Sequence, residues 1–429
     1  MTAVAGARIG ELPVVDRAEG CWIYDVDGND YLDGSSGTLC VNIGHGVREV
    51  LDAMAEQGAQ VCFTHRSQFE SQPRRALTEE IHAVTGNRFR EIVYTNSGSE
   101  ATETALRLVL HHHNELGTPD RVVVLSQYPS YHGMTAGALG ISGHPARRRN
   151  LGGLLAGAAD LALVAPADPD ALVPDASDWS AALERVGADR VAAIMVEPVG
   201  CAASGGAVVP DQTWRDLREL CDRTGTLLVA DEVMTGFGRT GAWLAHTGSG
   251  VLADLVATGK GLSAGYSPLG ACLVGDAVLR GRSAATAAIG HTMNGNPLSA
   301  AAALAVLRYL TRHGLVDRAR AAGELLRLRL DELAGCYDWV GPPRGRGLVH
   351  GLPLHQSAAS YAVEPLAHRV CAAARACGLV VYPAGVDHRT QSLLVAPPLT
   401  ISDDELDELV RRLDSALRRT AEAQGASSR

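Results

Sequence analysis

Short apolar segments alternate with helical segments between residues 41 and 313, and this alternation limits the possible folds more than any other feature of the sequence. Strands that alternate with helices predict a mostly parallel sheet with helices on both faces. The sequence therefore predicts an α/β fold. The expected strands cover residues 121–126, 191–197, 226–233, 255–258 and 269–275. A helix is expected at 211–223, with Asp211 as its N-cap and Gly225 after its end.

The segments on either side of this region have other patterns. Residues 1–40 form an N-terminal arm with a predicted β-hairpin, whose turn holds Val26-Asp27-Gly28-Asn29. Residues 314–429 combine an amphipathic helix, short strands at 348–352, 379–382 and 393–395, and a final helix after Ser402, as in a small α+β domain. Because 429 residues exceed what one hydrophobic core usually holds, we predict a large domain at 41–313 and a small one at 314–429. The arm is expected to pack with the small domain.

Charge and composition argue against several kinds of partner. A formal net charge of -10 disfavours general binding to nucleic acid, which depends on Lys and Arg side chains that neutralise phosphates. The apolar runs are too short to span a membrane and the N-terminus lacks a signal-peptide pattern, so we expect a cytoplasmic protein. The nine cysteines show no Cys-x-x-Cys spacing, and no metal site is expected.

Asp231 stands at the end of an apolar segment that begins at Thr226. A buried carboxylate needs a cationic partner or it loses its charge. The ring nitrogen of a pyridinium cofactor is such a partner, and the pair keeps the ring protonated as an electron sink. Taken alone, an aspartate at the end of a strand more often caps the next loop.

Lys260 follows another apolar segment and lies between Gly259 and Gly261. Glycines allow another group to approach the backbone closely, and burial lowers the pKa of a lysine amine. Such a lysine is a candidate for a Schiff base with a carbonyl cofactor. The alternative is a surface lysine in a glycine turn.

A third motif, Ser97-Gly98-Ser99, precedes a helical segment that begins near Thr102. Free backbone N–H groups and hydroxyls at the start of a helix form an anion site that suits a phosphate. A plain capping box, with Ser97 as the cap and Glu100 three residues later, explains the same residues. Further along, Tyr131 precedes His132 and offers an aromatic ring that stacks on a flat cofactor.

The order of these motifs resembles the class III (omega) aminotransferases, a family of fold type I that uses pyridoxal 5'-phosphate (PLP). The resemblance extends through nearly the whole chain, and the segment at 231–241 is its most specific part. The matching motifs are Ser97-Gly98-Ser99-Glu100-Ala101, Tyr131-His132-Gly133, Glu197-Pro198-Val199, Asp231-Glu232-Val233-Met234-Thr235-Gly236-Phe237-Gly238-Arg239-Thr240-Gly241, Gly259-Lys260-Gly261-Leu262 and Gly290-His291-Thr292-Met293-Asn294-Gly295-Asn296-Pro297.

The resemblance implies a role for each matching position. Lys260 is expected to hold the cofactor as a Schiff base and Asp231 to contact its ring nitrogen, so these two are the candidate catalytic residues. Thr292 is expected to reach the phosphate of the neighbouring subunit's cofactor, which implies a homodimer with shared active sites. The full set of expected cofactor contacts is Ser97, Gly98, Ser99, Tyr131, His132, Glu197, Asp231, Val233, Lys260 and Thr292.

The implied reaction is transfer of an amino group from an amine or amino acid to a keto acid, by a ping-pong mechanism in which the cofactor alternates between its aldehyde and amine forms. Two alternatives stay open. One is a PLP-dependent amino acid racemase or epimerase on the same fold. The other is a catalytically silent binding protein, which the presence of both Lys260 and Asp231 disfavours.

The sequence departs from relatives that act on ornithine and 4-aminobutyrate. Leu394 stands where that branch has an arginine, and Gly200-Cys201-Ala202-Ala203 lacks the glutamate that pairs with it. The absence of both charges is consistent, and it predicts poor binding of these two donors.

The predicted substrate pocket contains Leu39 and Tyr382, which stand at positions of a tryptophan and a mobile arginine in amine:pyruvate enzymes of the family. A keto acid carboxylate needs a cationic donor, for which arginine is suited by its planar fork. Arg389 and Arg149 are the candidates.

Overall fold

The computed structural model describes residues 12–155, 163–279 and 289–424. Its strands are β1 (Val15–Glu19), β2 (Trp22–Asp25), β3 (Asp30–Asp33), β4 (Glu91–Thr95), β5 (Val123–Gln127), β6 (Leu163–Val164), β7 (Val191–Val196), β8 (Val199–Gly200), β9 (Ala207–Val208), β10 (Leu227–Asp231), β11 (Leu255–Thr258), β12 (Gly270–Val274), β13 (Arg344–Gly345), β14 (His350–Pro353), β15 (Leu379–Val380), β16 (Tyr382–Ala384) and β17 (Ser392–Val395).

The helices connect and cover these strands. They are α1 (Ser36–Leu39), α2 (Arg48–Gln60), α3 (Gln72–Val84), α4 (Gly98–Glu115), α5 (Ala136–Gly140), α6 (Pro145–Arg148), α7 (Ala176–Val186), α8 (Asp211–Thr224), α9 (Asp276–Leu279), α10 (Pro297–Arg312), α11 (Leu315–Ala334), α12 (Ala358–Val363), α13 (Leu366–Ala376) and α14 (Asp403–Gln424), with 3-10 turns at Ala245–Ser249 and Lys260–Leu262. Over the three described ranges, no helix is both long and apolar enough to cross a membrane.

A seven-stranded sheet with the order β4-β12-β11-β10-β7-β5-β6 forms the centre of the molecule. Strand β12 runs antiparallel to both of its neighbours, whereas the pairs from β11 to β6 are parallel. Every residue of β7 and β10 is buried, as expected for strands covered on both faces. The predicted α/β fold is confirmed.

Parallel strands bring their carboxyl ends to the same edge of a sheet. Asp231 is the last residue of β10, Glu197 follows β7, and Lys260 lies two residues after β11. Because these three strands are adjacent, the fold brings three charged residues to one edge of the sheet.

The N-terminal hairpin forms as expected and is joined to the C-terminal part of the chain. Strand β15 pairs in parallel with β3, with Leu379 opposite Leu32, and completes the sheet β1-β2-β3-β15. A second sheet has the order β13-β14-β17-β16. The single strand expected from Leu379 to Tyr382 is therefore wrong, because its two ends belong to different sheets. The domain limits at residues 40 and 313 stay a prediction.

Helix α8 begins differently from the expectation. Asp211 is the first residue of the helix rather than its N-cap, and the cap position is Pro210. The carboxylate of Asp211 accepts a hydrogen bond from Arg346 Nη2 at 3.1 Å instead of from the helix backbone. The helix ends at Gly225, whose φ of 66° lies in the left-handed region that favours glycine, as predicted.

Arg239 joins distant parts of the chain from a fully buried position. Its guanidinium donates to the carbonyls of Leu348 and Pro397. It also donates to Ser36 Oγ at 2.9 Å and Asn42 Oδ1 at 2.8 Å. Burial lowers the pKa of Arg239 to about 10, so the side chain is still charged at neutral pH.

We predict that Arg239→Met destabilises the protein by roughly 3 kcal/mol or more, because buried carbonyls lose a charged donor. Unfolding of the protein in urea measures the change. The matched control is Arg223→Met, which removes an exposed ion pair with Glu219 and is expected to have little effect. Equal losses in the two variants would contradict a structural role for Arg239.

Candidate active site

Lys260 is the only lysine in the chain of 429 residues. The presence of a single lysine is the strongest signal for the site in the sequence, and a search for motifs alone does not detect it. Lys260 adopts a φ of 39°, and its Nζ donates to the carbonyl of Thr38 at 2.7 Å. Burial lowers the pKa of the Lys260 amine, a trend that the nearby Cys40, Cys201 and Asp231 oppose. A lysine with a lowered pKa is more readily neutral, which nucleophilic and proton-transfer chemistry require.

Asp231 is buried and held by two hydrogen bonds. Its Oδ2 lies 2.7 Å from His132 Nδ1, and its Oδ1 accepts from the backbone N–H of Val233 at 3.1 Å. Burial lowers the pKa of His132, but the hydrogen bond and the charge of Asp231 outweigh this effect, so the pKa lies above its usual value. The arrangement fixes the carboxylate in one orientation.

Glu197 forms the neighbouring part of this network. Its Oε1 accepts from the backbone N–H of Tyr131 at 2.8 Å, and its own N–H donates to Gln127 Oε1 at 3.2 Å. Burial raises the pKa of Glu197 to about 7, although the charges of His132 and Lys260 act in the opposite direction. Gln127 has no motif around it and could be found only in the structure.

Ser97 caps the helix that follows the third motif. Its Oγ accepts from the N–H of Glu100 at 3.2 Å, while Glu100 Oε2 accepts from the N–H of Asn96 at 2.7 Å. In a complete capping box the Glu100 side chain would accept from the N–H of Ser97. Here it accepts from the N–H of Asn96, the residue before the cap, so the capping box forms only in part. A helix start leaves backbone N–H groups without partners inside the helix, which makes this end of α4 suited to a phosphate.

Gly98 packs tightly against the Val233 side chain and against Gly259, which leaves little room for a side chain on either glycine. A Cβ atom on Gly98 would lie 2.5 Å from Val233 Cγ1, and one on Gly259 would lie 3.3 Å from Gly98 Cα. The absence of side chains on these glycines thus allows the start of α4, the segment after Asp231 and the Lys260 turn to meet.

The ring of Tyr131 borders the same region. The guanidinium of Arg147 lies over this ring, 4.3 Å from its centroid, and Arg147 Nη1 is 3.4 Å from the tyrosine oxygen. Arg147 belongs to a run of three arginines from which sequence analysis selected Arg149. Arg149 is exposed at the end of α6.

Leu39 and Tyr382 meet in an apolar cluster that also contains Leu394. Leu39 and Leu394 are buried, and Tyr382 pairs with Leu394 across β16 and β17. The cluster is completed by Val199, Cys201, Val208, Met234, Val349, Ala384 and Ala396. The two predicted pocket residues thus lie together in this apolar cluster, which we call the apolar wall.

Two other predicted residues lie apart from these contacts. Arg389 is exposed, and its Nη2 donates to the carbonyl of Ala171 at 3.2 Å. Thr292 is exposed beside His291, whose Nε2 lies 3.2 Å from Glu100 Oε2. The motif around Thr292 thus reaches the start of α4 within one subunit.

Comparison with known proteins identifies the family. A family model described as aminotransferase class-III matches residues 6–417, which is most of the chain. The chain belongs to the class III aminotransferases.

Three similar proteins illustrate this relationship. This class III aminotransferase is 37% identical over 415 residues to YodT of Bacillus subtilis, an uncharacterized aminotransferase, with 93% of each chain covered. It is 31% identical to the putrescine–pyruvate aminotransferase of Pseudomonas aeruginosa, with 97% of this chain and 92% of the relative covered. A PLP-bound amine transaminase from an uncultivated Pseudomonas species superposes with a TM-score of 0.89, at 31% identity and 98% coverage of both chains.

The class III aminotransferase therefore has fold type I and uses PLP to transfer amino groups. Each of the three similar proteins is named an aminotransferase or a transaminase. These comparisons give no support to the racemase alternative.

We predict that Gly98→Ala destabilises this aminotransferase by roughly 1–3 kcal/mol, because the new methyl group overlaps the Val233 side chain. Val233→Ala removes the overlapping atoms, so the double variant should lose less stability than the sum of the single changes. Gly58→Ala in α2 is the control, since nothing lies within 4 Å of that position. Additive losses in urea unfolding would show that the close packing at Gly98 is not limiting.

Proposed function

We propose that Lys260 and Asp231 are the catalytic residues of this aminotransferase and that its substrates are an amine or amino acid with an apolar portion and a keto acid. The observation that supports this most strongly is the position of the chain's single lysine, at the sheet edge where Asp231 also lies. The apolar wall of Leu39, Leu394 and Tyr382 supports the donor class.

The residues at this edge suit PLP. When bound, PLP supplies a carbonyl carbon that bonds reversibly to amines and a protonated ring that accepts electrons. Asp231 would hold the ring proton, since His132 and the Val233 N–H fix its carboxylate in place. The start of α4, with Ser97, Gly98 and Ser99, would hold the phosphate. Tyr131 and Val233 would cover the two faces of the ring, and Glu197 would complete the polar network.

Lys260 would carry the proton that transamination moves. A neutral amine at Nζ accepts a proton from the donor carbon and returns it to a second carbon on the same face. The lowered pKa of Lys260 favours the neutral form that the first step needs. Contact with the carbonyl of Thr38 gives Nζ a resting partner.

We propose that the enzyme is a cytoplasmic homodimer in which Thr292 reaches the phosphate bound by the partner subunit. The exposure of Thr292 supports this, as does the exposure of large apolar side chains near the site motifs. Met134 follows Tyr131-His132-Gly133 and is 51% exposed, and Met293 follows Thr292 and is 47% exposed. Exposed apolar surface of this kind marks protein contacts.

Lys260→Ala is expected to reduce amino transfer by at least about a thousandfold, because it removes the proton carrier. Borohydride treatment of the wild-type holoenzyme should fix the cofactor on one side chain, and peptide mass spectrometry should find it at Lys260. The variant has no lysine left, so this labelling should vanish while the thermal unfolding transition persists. A variant with a near-wild-type rate would refute the assignment.

The donor range gives a second test. We predict that n-butylamine has a kcat/KM at least about tenfold above that of 4-aminobutyrate, in which a carboxylate replaces the terminal methyl group, with the same keto acid. An unpaired charge against Leu39 and Leu394 is costly, and ornithine should be poor for the same reason. If ornithine or 4-aminobutyrate proved the better donor, the apolar wall would not determine specificity.

A further inference from the structure

Arg147 carries a charge that no acidic side chain neutralises within the described part of the chain. It contacts Tyr131, through the ring and the hydroxyl, and Met134 Sδ at 3.9 Å. Its Nε is buried and has no hydrogen-bond partner among the described residues. One edge of the guanidinium fork is thus unsatisfied beside the active site.

Some partly buried arginines have acidic partners, whereas the Arg344 side chain, among the described residues, contacts only the hydroxyl of Ser392, at 3.1 Å. Arg218 contacts Asp254 at 2.9 Å, and Arg412 contacts Asp30 at 2.7 Å and Glu408 at 2.6 Å. An arginine that lacks such a partner costs free energy unless an anion arrives. What distinguishes Arg147 is its position over the ring of Tyr131, at the border of the active site, and this position points to an external anion.

The two carboxylates near Tyr131 among the described residues already have partners of their own. Asp231 is engaged by His132, and Glu197 by the N–H of Tyr131. His144 packs against Tyr131, and burial, assisted by the charge of Arg147, lowers the pKa of His144 to about 4. His144 is therefore neutral at physiological pH, and Arg147 faces the site as a cation.

We propose that Arg147 binds the carboxylate attached to the reacting carbon of the keto acid acceptor, and of amino acid donors, and so determines substrate specificity. This inference rests on the proposed function. A planar guanidinium matches a carboxylate through two parallel hydrogen bonds. Stacking on Tyr131 restricts the guanidinium before the substrate arrives, which reduces the entropy lost on binding.

The position of Arg147 explains how a keto acid is held without a cation at Leu394 or Tyr382. Both of those residues belong to the apolar wall. Arg147 lies on a separate element, α6, and its charge acts on both Tyr131 and Lys260. A carboxylate near the reacting carbon would thus meet a cation, whereas the remainder of the substrate would meet apolar side chains.

The test compares pyruvate with acetaldehyde, in which hydrogen replaces the carboxylate, as acceptors for the holoenzyme in its amine form. Arg147→Met should lower the ratio of kcat/KM for pyruvate to kcat/KM for acetaldehyde roughly 10-fold to 100-fold, because the variant loses a charge-assisted contact with the carboxylate. Arg147→Lys should give an intermediate ratio, because it keeps the charge but loses the planar fork. Arg107→Met, an exposed arginine on α4, is the control.

Calorimetry provides a readout that is independent of turnover. Lactate and lactamide differ in charge, and neither can accept an amino group. Arg147→Met should weaken lactate binding to the amine form by a similar factor, with little change for lactamide. If the wild-type enzyme transferred no amino group, the proposed function would fail, and the calorimetric comparison would still test Arg147.

Three outcomes would overturn the proposal. An equal loss with pyruvate and acetaldehyde would assign Arg147 to the support of Tyr131 alone. Unchanged kcat/KM values with both acceptors would exclude carboxylate binding by Arg147. A fall in the ratio with Arg389→Met or Arg149→Met, but not with Arg147→Met, would move the anchor to one of those residues.

Discussion

The buried guanidinium of Arg239 is the interaction on which the active site depends. A charge in the protein interior needs polar partners, and Nη1 and Nη2 of Arg239 donate to oxygens from residues 36–42 and from the C-terminal part of the chain. Ser36 and Asn42, two of these partners, flank the segment that holds Thr38 and Leu39. Satisfying one buried cation thus positions the carbonyl that contacts Lys260 and one residue of the apolar wall.

The sheet supplies the second constraint. Adjacent strands place Glu197, Asp231 and Lys260 at one edge, where burial makes every charge costly. The structure compensates Asp231 with His132 and a backbone N–H, and it leaves Glu197 with a raised pKa. These fixed partners preorganise the site, so that little rearrangement is needed when charge develops during a reaction.

Neighbouring residues of one motif have different tasks. Asp231 faces the site, whereas the next residue, Glu232, is buried against His246, with its Oε1 2.8 Å from Nδ1. Arg239, eight positions after Asp231, points to the arm and the C-terminal segment. The motif thus combines the proposed catalytic carboxylate with two structural contacts. Substitutions at different positions of the motif would therefore have different effects, some on the chemistry and others on folding.

Much of this protein could be predicted from its sequence. Local apolar patterns determined the α/β architecture, because strand burial and helix periodicity are properties of neighbouring residues. They also indicated Asp231 and Lys260 at strand ends and a helix start at Ser97. The motifs, in order, were sufficient to indicate the family, and the count of a single lysine would have singled out Lys260 without any motif.

Only the tertiary structure decided which groups meet across long stretches of chain. Residues 379–382 read as one strand, yet pairing with β3 and β17 divides them between two sheets. Arg147, rather than Arg149, stacks on Tyr131, although the two are equivalent in local sequence. The physical reason is that hydrogen bonds and packing between distant residues depend on distance in space. A sequence pattern limits which residues can be buried or charged, but the fold determines their partners.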